Sequence, residues 1–163
     1  MLIGVVSDTH IPARAKMIPQ EVLDAFQGVD LILHAGDLTE VDALEPLESL
    51  ARVIAVRGNM DSPEARKRFP KHQVVETNGF RIGVTHGSGK PEDLHIRVRK
   101  QFEDKRLNVI VFGHSHEAFA EWMGEVYVFN PGSPTDDVYA RQRSVGLLHI
   151  DGDGVRGQIV RMP

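Results

Sequence analysis

The sequence contains no cysteine. That excludes disulfides, thiol catalysis and thiolate metal sites, and it is compatible with the cytoplasmic location expected here. Aromatic residues are few, at 6% of 163, so the core must come mostly from Val, Ile, Leu and Ala. No apolar run approaches the ~20 residues of a membrane span. No basic segment with a long apolar stretch opens the chain, so neither a signal peptide nor a membrane partner is expected. The net charge of −4 gives no global pull toward nucleic acid or anionic lipid. An anionic substrate must therefore be captured by a local positive feature.

What is present is one domain's worth of alternating elements. A chain of this size hides roughly 70% of its unfolded surface on folding and needs no metal merely to fold. No linker, repeat or low-complexity segment interrupts it, so residues 1–163 are expected to form a single domain. The apolar runs "LIGVV", "LILH" and "VIAV" read as strands buried on both faces. Between them, Pro19 with Val22, Leu23 and Phe26 predicts a helix closed by Gly28. Residues 40–51 predict a helix with Leu44, Leu47 and Leu50 as its buried stripe, against the grain of Pro46. Ser62-Pro63 opens a short helix over 62–69.

The second half changes style. Asn78-Gly79 between two β-rich runs predicts a hairpin. Residues 91–105 predict a helix on Leu94, Val98 and Phe102. Two more hairpins are expected around Met123-Gly124 and "DGDG". The pattern is βαβαβ followed by a more antiparallel half. Strands of both styles suggest an α/β fold with two sheets packed face to face and helices outside.

Polar residues fall in a telling place. The first strand exits into Asp8 and His10, the second into Asp37, the third into Asn59. "RIGVT" exits into His86, and "VIVF" exits into His114 and His116. Five strands thus each deliver a nitrogen or oxygen donor just past the carboxyl end, where ligands bind in open α/β sheets. Seven such donors suit two adjacent metal ions, if one carboxylate bridges. His34 lies within a strand and is expected to pack or to support Asp37. His72, His95 and His149 are expected on the surface or the sheets. "HGSGK" is no phosphate loop, since Val84 stands where the first Gly is needed and Pro91 follows the Lys. "DGDG" lacks the next calcium ligand at Val155 and reads as a turn.

Taken together, "SDTH" (7–10), "HAGD" (34–37), "RGNMD" (57–61), "THG" (85–87) and "FGHSH" (112–116) resemble the motif set of the calcineurin-like metallophosphoesterase superfamily. The small size, "NPGSP" (130–134) and the hairpin tail resemble its compact YfcE-type phosphodiesterase branch. The resemblance implies a four-layer α-β-β-α sandwich of two mixed sheets. It also implies two divalent ions, Mn, Ni, Fe or Zn. Asp8, His10 and His116 would hold one ion, Asn59, His86 and His114 the other, and Asp37 would bridge. The chain departs from many relatives at Met60, where they carry a His that aids the leaving group.

The expected activity is phosphodiester hydrolysis by a hydroxide bridging the two ions, with Asp37 and Asn59 as the catalytic residues. Two divalent ions against Asp8 and Asp37 leave a local charge of about +2, the positive feature the whole chain lacks. Asn59 and Arg57 are the candidate contacts to a small phosphodiester substrate. Arg141 and Arg143 fall on a loop without an assigned role. A metal-binding interaction scaffold and a phosphomonoesterase are the competing functions. The seven intact donors weigh against the scaffold, and Met60, which has no proton to give, weighs against the monoesterase. Nucleic acid is not required as a partner, and a homo-oligomer is compatible with the sequence.

Overall fold

In the computed structural model, which describes residues 1–152 and 154–163, the strands form two five-stranded sheets. The first has the order β10-β9-β1-β2-β3, from β1 (Leu2–Val6), β2 (Leu31–His34), β3 (Val53–Ala55), β9 (Ser144–Asp151) and β10 (Gly154–Arg161). Strands β1, β2 and β3 run parallel, while β9 lies antiparallel to β1. The second has the order β4-β5-β6-β8-β7, from β4 (His72–Thr77), β5 (Phe80–Thr85), β6 (Val109–Val111), β7 (Phe119–Met123) and β8 (Val126–Asn130). Both sheets are mixed, as expected.

Alternation along each strand builds the layers. Ile3, Val5, Leu31 and Leu33 from one sheet meet Ile82, Val84, Val109, Val111 and Phe129 from the other in a core between the sheets. Residues of opposite parity face outward. Ile32 and Val145 pack under α1 (Gln20–Ala25), α2 (Glu45–Glu48) and α3 (Pro63–Arg68) through Val22, Leu47 and Ala65. Ile110 and Val128 pack under α4 (Leu94–Lys100) through Leu94 and Val98, with Phe102 just beyond. Three apolar cores between four layers give the α-β-β-α sandwich. At roughly 1.5–3 kcal/mol per fully buried large aliphatic side chain, these cores hold the strand ends in register.

Local rules explain most elements. Ser62 Oγ accepts from the Ala65 N–H at 3.3 Å and caps α3. Asn78 and Gly79, both at positive φ, close the β4–β5 hairpin in two residues. The β7–β8 turn falls on Gly124-Glu125, one residue later than the sequence suggests. Residues 152–153 join β9 to β10, and Asp153 of the "DGDG" turn lies outside the described residues. The helix expected over 40–51 is broken. A 3-10 turn at Val41–Leu44 runs into α2, with Pro46 in the first turn, where its missing N–H costs nothing. Leu44 and Leu47 are still fully buried. Among the described residues no helix is long and apolar enough to cross a membrane.

Candidate metal centre

The carboxyl ends of β1, β2, β3, β5 and β6 meet at one end of the sandwich, and the turns that leave them carry the polar residues. Asp8, His10, Asp37, His114 and His116 all have positive φ, between 45° and 71°. Asp and His tolerate this left-handed region better than most residues, but each still costs on the order of 1 kcal/mol. Five such residues within one cluster are strain concentrated where side chains must be aimed. Two glycines let the turns close: a Cβ on Gly58 would lie 2.1 Å from Asp37 Oδ1, and one on Gly113 1.7 Å from Ser7 Oγ.

The cluster centres on Asp8. Its Oδ2 accepts from Ser7 Oγ at 2.5 Å and from the His114 N–H at 2.9 Å. Its Oδ1 is buried and accepts no hydrogen bond. Around that oxygen stand Nε2 of His116 at 3.2 Å, of His86 at 3.8 Å and of His10 at 3.9 Å. His10 and His116 present their Nε2 atoms to each other at 3.2 Å. On the far side, His86 Nε2 lies 3.2 Å from Asp37 Oδ2 and 3.2 Å from Asn59 Oδ1. Asp37 Oδ2 is also 3.8 Å from His10 Nε2, while its Oδ1 accepts from the Met60 N–H at 2.7 Å.

Each imidazole is oriented through its other nitrogen. His86 Nδ1 donates to the Ala35 carbonyl at 2.8 Å, and His116 Nδ1 donates to Asp136. Both therefore turn Nε2 inward. His114 does the reverse: its Nε2 donates to the Gly89 carbonyl at 2.8 Å, which leaves Nδ1 as the open lone pair. His34 stays outside the centre, as expected. Its Nδ1 accepts from the Gly36 N–H at 3.2 Å, its Nε2 pairs with Thr9 Oγ1 at 3.1 Å, and burial pushes its pKa down to about 4, so it is neutral. His72 packs on Phe102 and His95 stacks on Phe119.

Electrostatics match this arrangement. Burial alone would raise the Asp8 carboxyl, but His86 and His116 beside it hold it far below the usual carboxylate range. Asp37 is likewise lowered, against its burial, mainly by His86. Burial would lower His86, but Asp8 and Asp37 raise it to about 9. His116 is raised by Asp8 and Asp136 against its burial, while burial lowers His10.

These residues fit divalent metal. Metal–nitrogen and metal–oxygen bonds of about 2.0–2.2 Å place neighbouring ligand atoms about 3–3.5 Å apart, and four of the spacings above are 3.2 Å. A buried carboxylate oxygen with no donor, ringed by imidazole nitrogens, is costly unless a cation completes it. Two compact sets emerge, Asp8 with His10 and His116, and Asp8 with Asp37 and His86. Asn59 reaches the second through Oδ1, and His114 flanks it with its ring 5.2 Å from that of His86.

The centre opens into a cavity of about 640 Å³ lined by His10, Asp37, Asn59, Met60, His114 and Tyr139, among others. Met60 is 59% exposed at its mouth. Asp61 is buried, with both carboxylate oxygens accepting from the Thr39 and Gly58 N–H groups at 2.7 and 2.6 Å, and so serves the loops. Arg57 lines an adjacent cleft on the other side of Asn59, not this cavity. Arg141 and Arg143 pair with Glu117 and Asp137 on the surface.

Sequence reasoning missed Asp136. Its Oδ2 accepts from His116, and its Oδ1 accepts from Arg14 at 2.6 Å and from the Val138 and Tyr139 N–H groups at 2.8 and 3.1 Å. It missed Ser133 and Thr135 too, whose hydroxyls donate to the Asp8 carbonyl at 2.8 Å and to the Thr9 carbonyl at 2.9 Å. The only signal was "NPGSPTDD", a polar stretch that leaves β8 at Asn130, with Asp136 six residues beyond the strand end.

The family model "Calcineurin-like phosphoesterase superfamily domain" matches residues 1–153. A probable metallophosphoesterase of Methanothermobacter thermautotrophicus is 43% identical over 161 residues, 99% of this chain and 92% of that protein. A phosphodiesterase of Methanocaldococcus jannaschii is 29% identical over 146 residues, 81% of this chain and 83% of that one. The crystal structure of Entamoeba histolytica Vps29 complexed with zinc superposes with a TM-score of 0.74 at 27% identity, covering 99% of both chains. The chain belongs to the calcineurin-like phosphoesterase superfamily, whose members use divalent metal ions.

Proposed function

We propose that the protein is a metal-dependent phosphodiesterase with a dinuclear centre. Asp8, His10 and His116 would hold one divalent ion, Asn59, His86 and His114 the other, and Asp37 would serve both. The observation that carries this reading is the bare, buried Oδ1 of Asp8 among three imidazole Nε2 atoms. Asp37 Oδ2, with His10 on one side and His86 on the other, supports its role as the shared ligand. Bound ions of this kind supply Lewis acidity toward phosphoryl oxygens and a water of lowered pKa.

The chain's own residues do the rest. His86 and His116 are fixed as inward Nε2 donors by Ala35 and Asp136. Asn59 turns Oδ1 toward His86, which leaves its amide N–H groups to orient a phosphoryl oxygen. Met60 stands where an acid would meet the leaving group and has no proton to give. A diester with an activated aryl alcohol needs no such acid, so a residue without a proton at position 60 supports diesters over unactivated monoesters. The phosphodiesterase among the relatives supports the same choice.

A panel of aryl diesters, alkyl diesters and monoesters, assayed with Mn, Ni, Fe and Zn in turn, tests it. Metal-dependent turnover of aryl diesters well above that of monoesters is expected. Turnover of monoesters alone would overturn the diesterase reading, and metal binding without turnover of any diester or monoester would overturn the hydrolase reading in favour of a scaffold.

A further inference from the structure

Asn59 lines two clefts, and His86 lines the second of them. One is the cavity over the metal centre. The other, of about 320 Å³, is lined by Arg57 from the loop after β3, Arg66 from α3, Lys71 before β4, and Thr85 and Ser88 at the end of β5. Three cations and no carboxylate line it. In a chain of net charge −4 that is a local reversal of sign.

None of the three cations is neutralised. The ion pairs among the described residues place no carboxylate on Arg57, Arg66 or Lys71. Arg57 Nη1 donates to the Arg66 carbonyl at 3.1 Å. Arg66 donates from Nε to the Asp61 carbonyl at 2.8 Å and from Nη2 to the Asn59 carbonyl at 2.5 Å. These bonds fix the Arg57 guanidinium against the backbone of α3 and the Arg66 guanidinium against the loop that carries Asn59. They use one and two of five N–H donors respectively. Anchoring that loop explains Arg66, but it explains neither Lys71 nor the gathering of three like charges, whose mutual repulsion is unfavourable unless an anion joins them.

We infer that this cleft is a subsite for a second phosphate group, so that the preferred substrate is a small phosphodiester carrying an additional phosphate. The inference rests on the phosphodiesterase reading of the adjacent centre. With the scissile phosphoryl at the metal centre beside Asn59, the arm that passes Asn59 and His86 enters the basic cleft. Two guanidinium forks and an ammonium suit a phosphate there, since Arg binds phosphate through paired N–H groups and Lys as a point charge. The volume leaves room for a phosphate and part of the group that bears it.

Calorimetric titration of the metal-loaded protein with thymidine 3′,5′-bisphosphate and with thymidine 5′-monophosphate tests this. Wild type should bind the bisphosphate about tenfold tighter or better, as expected for charge-assisted hydrogen bonds to phosphate, and the preference should shrink with added salt. Lys71→Glu should cut that ratio about tenfold, and Arg57→Gln should lower it in the same direction. Among the described residues the Lys71 side chain makes no hydrogen bond or ion pair, so Lys71→Glu decides the matter even if Arg57→Gln is poorly folded. Equal affinities in wild type, or an unchanged ratio in Lys71→Glu, would overturn the subsite. Turnover of bis(4-nitrophenyl) phosphate by the same preparations separates the two readings. A diesterase without the bisphosphate preference overturns the subsite alone. The preference without diester turnover overturns the hydrolase reading and the substrate assignment with it.

Discussion

The Asp136 carboxylate accepts the Nδ1 proton of His116 and holds that ring with Nε2 facing Asp8 Oδ1, 3.2 Å away. A carboxylate behind a metal-binding imidazole fixes its tautomer and raises its basicity, and losing one typically costs 10–100-fold in metal affinity. Asp136→Asn should therefore weaken metal binding by about 10–100-fold. Asp136→Ala should do so as well and also release the Val138–Tyr139 turn that its Oδ1 holds. Competition with a chelator of known affinity measures this. Wild-type affinity in both variants would remove Asp136 from the centre.

Asp136 also marks how far the sequence could be read. The seven candidate ligands were legible because each follows an apolar strand, and parallel strands of one sheet end on the same side. The two-sheet architecture was legible from the change of style in the second half, beginning at the hairpin around Asn78-Gly79. Asp136 follows no strand directly; a loop brings it back under His116 after β8, and nothing in "PTDD" encodes that return. The left-handed backbone at Asp8, His10, Asp37, His114 and His116 was hidden too, because non-glycine residues seldom adopt it and no residue type announces it. Pro46 signalled trouble in the 40–51 helix, and the chain resolves it by restarting the helix one residue before the proline.

Met60 is exposed at the cavity mouth, with its backbone N–H held by Asp37. Met60→His should fold normally and relax the dependence on the leaving group. A positioned acid is worth about 10²–10⁴-fold, and monoesters should gain most. Rates against leaving-group pKa for both proteins, at equal metal content, make the measurement. A flat wild-type dependence would show that another group already protonates the leaving group, and Asp61, bound to two backbone N–H groups, is badly placed for that.

Protons compete with metal at His86. Without metal its pKa is raised from 6.5 to about 9, because Asp8 and Asp37 outweigh burial. A raised folded-state value stabilises the metal-free fold fully below pH 6.5, and that contribution fades as pH climbs through about 9. Asp8 is lowered, so its contribution is in place above its ordinary 3.8 and constant over this window. Thermal melts of chelator-treated protein should therefore lose stability between pH 6.5 and 9 relative to metal-loaded protein, and metal affinity should rise over the same range. His86→Gln should reduce the difference in slope, and what remains comes from His116, which Asp8 and Asp136 also raise. Parallel pH profiles with and without metal would contradict the coupling.

Gly58→Ala and Gly79→Ala separate packing at the centre from backbone strain. A Cβ at position 58 would lie 2.1 Å from Asp37 Oδ1 and 2.5 Å from its backbone nitrogen, so Asp37 must move. A Cβ at position 79 meets nothing within 4 Å, though φ is +80° there. Gly79→Ala should cost about 1 kcal/mol of stability and keep its metal. Gly58→Ala should lose at least one ion and nearly all hydrolysis. Full metal content in Gly58→Ala would mean that Asp37 is not a ligand.

Anomalous diffraction from metal-reconstituted crystals would locate the pair of ions proposed for Asp8, His10, Asp37, Asn59, His86, His114 and His116. Two anomalous peaks about 3.5–4 Å apart, flanking Asp37 with Asp8 and His116 on one side and Asn59 and His86 on the other, are the predicted result. A fully reconstituted crystal with a single peak, or with peaks away from these seven side chains, would contradict it.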